Sequence, residues 1–153
     1  MTDAPAGLPV SRQLQLQKVY VKDASLEIPL APQVFTRNWQ PQLDVQVASA
    51  LQTLNAEQHH VLLSITVTAK LDQDVAFLAE VQQAGIFAIR GVTDEAERKR
   101  VLGTDCLNIL FPFAREAVAE LVQRGGFPQL LLQPIDFVAL YDEHERKSPA
   151  APH

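Results

Sequence analysis

Val61-Leu62-Leu63-Ser64-Ile65-Thr66-Val67-Thr68-Ala69-Lys70-Leu71, then Asp72-Gln73-Asp74, then Val75-Ala76-Phe77-Leu78-Ala79-Glu80-Val81-Gln82 is the stretch that decides the fold. In its first half Val61, Leu63, Ile65, Val67, Ala69 and Leu71 alternate with Leu62, Ser64, Thr66, Thr68 and Lys70. In its second half Val75, Phe77, Ala79 and Val81 alternate with Ala76, Leu78, Glu80 and Gln82. Period two over such lengths is the signature of a strand with one buried face. The polar Asp72-Gln73-Asp74 between them is a compact turn, so the two strands form an antiparallel hairpin.

Two more strands precede this hairpin. Leu14 to Lys22 alternates as Leu14 and Leu16, then changes phase to Val19 and Val21, which implies a bulge. Leu43 to Leu51 places Leu43, Val45, Val47 and Leu51 on one face. Between these strands, Glu27-Ile28-Pro29-Leu30-Ala31-Pro32 cannot be a central strand, because proline donates no ladder hydrogen bond. It is expected to run extended into a loop carrying Phe35 and Trp39.

After the hairpin the period becomes helical. Asp94 is placed to cap a short helix, with Glu97 at the capping-box position, Lys99 and Arg100 near its end, and Gly103 terminating it. A longer helix is expected over about Leu110 to Arg124, striped by Leu110, Ala114, Ala117, Val118 and Leu121, with Pro112 in its first turn and Gly125-Gly126 as its stop. A last helix begins near Pro134, with Phe137, Leu140, Tyr141 and His144 on one side. Four strands followed by helices is an α+β architecture on an antiparallel sheet. The expected organisation is an arm at residues 1–12, one domain at 13–144 and a disordered tail at 145–153.

The chain has 153 residues, 47% of them hydrophobic and 20% charged, with a formal net charge of -5. That acidic balance argues against a nucleic-acid partner, which would need Lys and Arg against phosphates. Cys106 is the single cysteine, which excludes an intrachain disulfide and a Cys-rich zinc site. No apolar run approaches the roughly 20 residues needed to cross a bilayer, and no signal-like segment opens the chain. A soluble, intracellular protein in a reducing compartment is therefore expected.

Chemistry-bearing constellations are sparse. His59 and His60 are adjacent, so on a strand they point to opposite faces and cannot share a metal; His144 and His153 lie far off. Asp72 and Asp74 read as a solvated turn, and Cys106 as a packed thiol, having no basic or histidine-rich flank. No phosphate-cradling glycine loop or G-x-S-x-G pattern occurs. No catalytic residue, metal or cofactor is expected. What exceeds structural need is apolar surface: Leu78 opposite the Phe77 row, Phe35 and Trp39 on a loop, and Leu130-Leu131-Leu132 among prolines. Together these point to oligomer contacts or a binding surface.

Several segments jointly resemble the SecB family of bacterial export chaperones: Val19-Tyr20-Val21-Lys22-Asp23, Trp39-Gln40-Pro41, Glu80-Val81-Gln82-Gln83-Ala84-Gly85-Ile86-Phe87, Asn108-Ile109-Leu110-Phe111-Pro112-Phe113-Ala114-Arg115-Glu116, and Arg124-Gly125-Gly126-Phe127-Pro128-Gln129-Leu130. They follow the family's order over roughly residues 13 to 141. Ala84, Leu26 and Leu30 depart from the family pattern. The resemblance implies a cytoplasmic, ATP-independent chaperone that holds unfolded precursor polypeptides and delivers them to the SecA motor. It further implies a homotetramer built as a dimer of dimers, with contacts at Ala79, Val81 and Gln83 and along the long helix at Leu110, Ala114, Val118 and Leu121. A client groove would be lined by Phe35, Trp39 and Phe137, and SecA would bind at Asp23, Glu27, Leu78 and Glu80. Two other readings remain open on the residues alone. One is a SecB-like chaperone dedicated to a single client such as an antitoxin; the other is a small-ligand-binding α+β domain.

Overall fold

The structure, a computed structural model, describes residues 13–147, so the expected arm at 1–12 and the end of the tail at 148–153 lie outside the described residues. Four strands, β1 (Gln13–Glu27), β2 (Gln42–Thr53), β3 (Gln58–Leu71) and β4 (Asp74–Arg90), form one antiparallel sheet in the order β1-β4-β3-β2. Helices α1 (Glu95–Gly103), α2 (Asp105–Arg124) and α3 (Phe137–Lys147) follow.

The hairpin read from the sequence is the centre of this sheet. Ile65 pairs with Val81, Val67 with Ala79 and Ala69 with Phe77, and all six are buried on the face that α2 covers. The turn tightens to Asp72-Gln73, closed by the Leu71–Asp74 pair, and Asp72 takes a left-handed φ of 54° that aspartate tolerates well. The phase change in β1 is a real irregularity: its register against β4 shifts between Leu16 and Lys18, and again between Val21 and Asp23. Both shifts let Leu14, Leu16, Val19 and Leu26 turn toward the core.

Helix boundaries differ from expectation in three places. α2 starts at Asp105, not Leu110, which puts Pro112 inside the helix. The apolar stripe explains this, since Cys106 and Leu107 extend the buried row of Leu110, Phe111, Ala114, Val118 and Val122 by one more turn. Burial of that turn outweighs the hydrogen bond that Pro112 cannot donate. α3 starts at Phe137, past Pro134, because the Asp136 carboxylate caps it by accepting from the Ala139 N–H at 2.9 Å. It runs to Lys147, so Glu145, Arg146 and Lys147 are helical instead of belonging to a disordered tail. Asp94 caps α1 as expected, accepting from the Ala96 N–H.

The Gly125-Gly126 stop is a Schellman ending. The Phe127 N–H donates to the Val122 carbonyl, the Gly126 N–H donates to the Gln123 carbonyl, and Gly126 sits at φ 91°. This ending turns Phe127 back into the core beside Val122.

Candidate functional site: an apolar groove and an acidic sheet face

Helices α1, α2 and α3 do not reach across the whole sheet. On β2 the face-sharing row of Leu43, Val45, Val47 and Leu51 points to the helical side, yet Leu43, Val45 and Leu51 remain 41–46% exposed. Two clefts run along this row and meet at Val47. The larger, about 660 Å³, is walled by Leu51, Leu107, Phe137, Leu140 and Tyr141. The smaller, about 350 Å³, lies between Leu43, Val45 and the 130–135 segment, where Leu131 is 65% exposed. The consecutive leucines flagged in the sequence thus face the open strand row.

The loop after β1 forms a second apolar feature. A short 3-10 turn at Gln33–Thr36 buries Val34 and leaves Phe35 half exposed. Phe127 gathers the aromatic rings: it lies 5.1 Å from Phe35, 4.9 Å from Trp39 and 5.0 Å from Phe77, centroid to centroid. The structure therefore joins Phe35 and Trp39 through Phe127, a residue the sequence reading did not assign to the site. Its signal was available, since it directly follows the Gly-Gly stop, where an apolar residue turns back onto the helix. Phe137 is not part of this cluster. It is buried against Phe111, with centroids 5.9 Å apart, and it forms the floor of the larger cleft, while Leu140 is exposed and Tyr141 half-buried at its wall.

On the open face of the sheet the register aligns Glu27 with Leu78, Ser25 with Glu80, and Asp23 with Gln82. Residues directly opposite share a face, so Asp23, Glu27, Leu78 and Glu80 come together as an acidic surface around one half-buried leucine. The Glu80 carboxylate accepts from Thr66 Oγ1 on β3 at 3.0 Å, which holds it upright on the strand face.

The expected assembly residues need correction. Ala79, Val81 and Gln83 lie on the core side of β4 and are buried within the protomer. Leu110, Ala114 and Val118 are likewise buried, and Leu121 is half-buried. The stripe that identifies a helix from its sequence is the one it turns to its own sheet. The outward side of α2 instead carries Phe113, 41% exposed, with Glu116 and Glu120.

The remaining candidates resolve into structure. His59 faces the core, with Nδ1 3.2 Å from Thr53 Oγ1, while His60 faces the other way, its Nε2 2.6 Å from the Tyr20 hydroxyl. Burial, and then the Arg98 charge, hold the His59 imidazole below its usual pKa, and its Nε2 has no partner among the described residues. Burial, aided by Asp105, pushes the Cys106 thiol up to about 12, so it is a packing group at neutral pH. Asp72 and Asp74 pair with Arg37 at 3.4 and 2.9 Å. His144 is exposed at the rim of the larger cleft, and His153 lies outside the described residues. Among the described residues no group of three or more His, Cys, Asp or Glu side chains is placed to hold a metal ion. No described helix is long and apolar enough to cross a membrane, a statement that does not extend to strands.

Comparison with known proteins gives these features a context. The family described as preprotein translocase subunit SecB matches residues 9–148. The protein-export protein SecB of Hydrogenovibrio crunogenus is 48% identical over 136 residues, covering 89% of this chain and 91% of that protein. That of Chromobacterium violaceum is 51% identical over 136 residues, covering 89% and 90%. That of Methylococcus capsulatus is 47% identical over 147 residues, covering 93% and 94%. Among solved structures, the SecB-like chaperone Rv1957 of Mycobacterium tuberculosis, in complex with a ChAD peptide from the HigA1 antitoxin, superposes with a TM-score of 0.68. That match has 21% identity and covers 80% of this chain and 90% of that one, a likeness of fold.

Proposed function

This chain belongs to the SecB family of protein-export proteins, and from that premise we propose that it holds unfolded precursor polypeptides in its apolar groove without ATP and passes them to SecA. The observation that carries this reading is the uncovered β2 row, an apolar strand face continued by the 130–135 segment and by Leu140 and Tyr141. An unfolded precursor exposes apolar side chains that aggregate unless covered. Each one buried in the groove contributes roughly 1.5–3 kcal/mol before costs. Several together offset the ordering entropy and reach micromolar binding, about 8 kcal/mol.

Phe35 and Trp39 add aromatic contacts at one end of the site. Phe137 acts from beneath, as support for the cleft floor. The free edge of β2 can also pair with an extended backbone, which adds affinity without sequence preference. On the other sheet face, Asp23, Glu27 and Glu80 around Leu78 form the surface proposed for SecA, suited to a basic segment with an apolar anchor and a salt-sensitive association rate. Assembly as a dimer of dimers would set grooves of several protomers side by side and add avidity for long clients. The work is binding, with no catalytic step, and its proposed place is the cytoplasm. Of the other readings, export is favoured over a dedicated client because the export proteins are 47–51% identical to this chain, whereas the antitoxin-bound chaperone is 21% identical.

The test is to dilute a urea-unfolded secretory precursor into buffer containing the protein and no nucleotide. Refolding and complex mass are then followed together. Arrested refolding with a complex of tetramer plus client is expected. Unimpeded refolding with no complex would remove the holding role.

A further inference from the structure

The loop that presents Phe35 and Trp39 is tied to itself by short-range backbone bonds: Val34 N–H to the Leu30 carbonyl at 2.9 Å, Phe35 N–H to Pro32 at 3.1 Å, and Arg37 N–H to Val34 at 3.3 Å. Among the described residues, its polar tie to a distant element is Arg37. That guanidinium reaches the β3–β4 turn, donating to Asp74 Oδ2 at 2.9 Å, and to Asp72 Oδ2 and the Leu71 carbonyl at 3.4 Å each. The turn belongs to the central hairpin, which it closes with Asp72 in the left-handed region. Arg37 stands two residues before Trp39, whose ring lies 6.2 Å from Phe77 and 4.9 Å from Phe127.

We propose that Arg37 is a positioning residue for client capture: its clasp on the Asp72–Asp74 turn fixes the aromatic loop, and salt loosens it. Asp72 is 93% exposed, Asp74 57% and the Arg37 side chain 33%, so the charges are open to screening. An exposed clasp of this kind is weak enough to release the loop when a client demands room. It is also specific enough to return the rings to one place, because a guanidinium fork sets direction as well as charge. Holding the rings in place lowers the ordering cost of binding, so loss of the clasp speeds client release. This inference rests on the reading that Phe35 and Trp39 contact clients.

The test uses the full-length protein. Trp39 is its single tryptophan, so the emission and acrylamide quenching of the free protein report the loop directly. Arg37→Gln and the double variant Asp72→Asn with Asp74→Asn are expected to red-shift the emission and raise quenching at low salt. Arg37→Lys should fall between them and the unaltered protein. Added salt should move the unaltered protein toward the variants and leave the variants where they are. With reduced, carboxymethylated α-lactalbumin as a permanently unfolded probe, the variants should bind about three- to tenfold more weakly at low salt, through faster dissociation. Unchanged emission and quenching in both variants would overturn the clasp, whatever the affinities. Shifted emission with unchanged affinity overturns its role in capture. In that case Trp39→Ala separates the causes: a loss of affinity there shows that the loop binds clients without needing the clasp, and no loss shows that the groove reading itself fails.

Discussion

Cys106 and Gly103 show how single positions are fixed by what surrounds them. The folded protein holds the Cys106 thiol near 12 against an ordinary value of 9.0, so the native state keeps a proton that the unfolded chain gives up. Because the folded value is raised, this contribution is intact below about pH 9 and is lost as pH climbs from there toward 12, by up to about 1.4 kcal/mol per pH unit. Urea unfolding at alkaline pH should therefore show a shallower loss of stability for Cys106→Ala than for the unaltered protein. The offset between the two at neutral pH gives the packing cost of the substitution. At Gly103, an added Cβ would sit 2.6 Å from Tyr141 Cδ1, the ring through which α3 docks on α1 beside the Arg100–Asp142 ion pair at 2.7 Å. Gly103→Ala should thus cost about 1–3 kcal/mol and loosen α3, read by thermal unfolding and by faster amide exchange in α3.

At the scale of elements, the two sheet edges are built differently. β1 carries two register shifts and the charges of Lys18, Lys22, Asp23 and Glu27 along its edge. β2 has no register shift, no proline, and Asp44 as its single charged residue. Bulges and edge charges are the ordinary guards against unwanted strand pairing. β1 has them and β2 does not, although β2 also bears the exposed apolar row. Such an edge invites aggregation unless an extended partner is what it is meant to meet. Val45→Lys should leave stability within about 0.5 kcal/mol, because the side chain is 41% exposed, while weakening client binding about tenfold. Titration with an unfolded probe, alongside urea unfolding, checks both halves. Phe137→Ala is a poorer probe of the groove, since it excavates a side chain that is 2% exposed.

For the whole molecule, the proposed dimer of dimers needs surface that the protomer does not use for itself. Phe113 stands 41% exposed on the outward side of α2, on the face that also carries Glu116 and Glu120. Phe113→Glu should reduce the mass seen by light scattering below that of a tetramer, while Trp39 emission stays unchanged. A tetramer of unaltered mass would move the interface off this face of α2.

Local pattern was enough to specify the strands. Period two in Val61–Leu71 and Phe77–Val81, the phase change in β1, the Asp94 cap and the Gly125-Gly126 stop depend on backbone geometry within a few residues, and each holds in the structure. Val75 departs from its expected row, because the register shifts between Ala69 and Lys70 and sets it opposite Lys70 instead of on the Phe77 face. The acidic face was also within reach, because alternation fixes the side of Leu78 and Glu80, though its partners Asp23 and Glu27 came from the family resemblance. What a linear pattern cannot carry is which of two apolar faces finds a cover. The family resemblance put assembly contacts at Ala79, Val81 and Leu110, which are interior to the protomer, whereas Leu43, Val45 and Leu51, which the alternation placed on one face without saying what covers it, are open. Periodicity records that a face is apolar; how far the helical layer extends over the sheet is set by packing between segments distant in sequence. The same long-range packing buries the first turn of α2 and lets Pro112 sit inside a helix, and it draws Phe127 back to gather Phe35, Trp39 and Phe77 into one cluster.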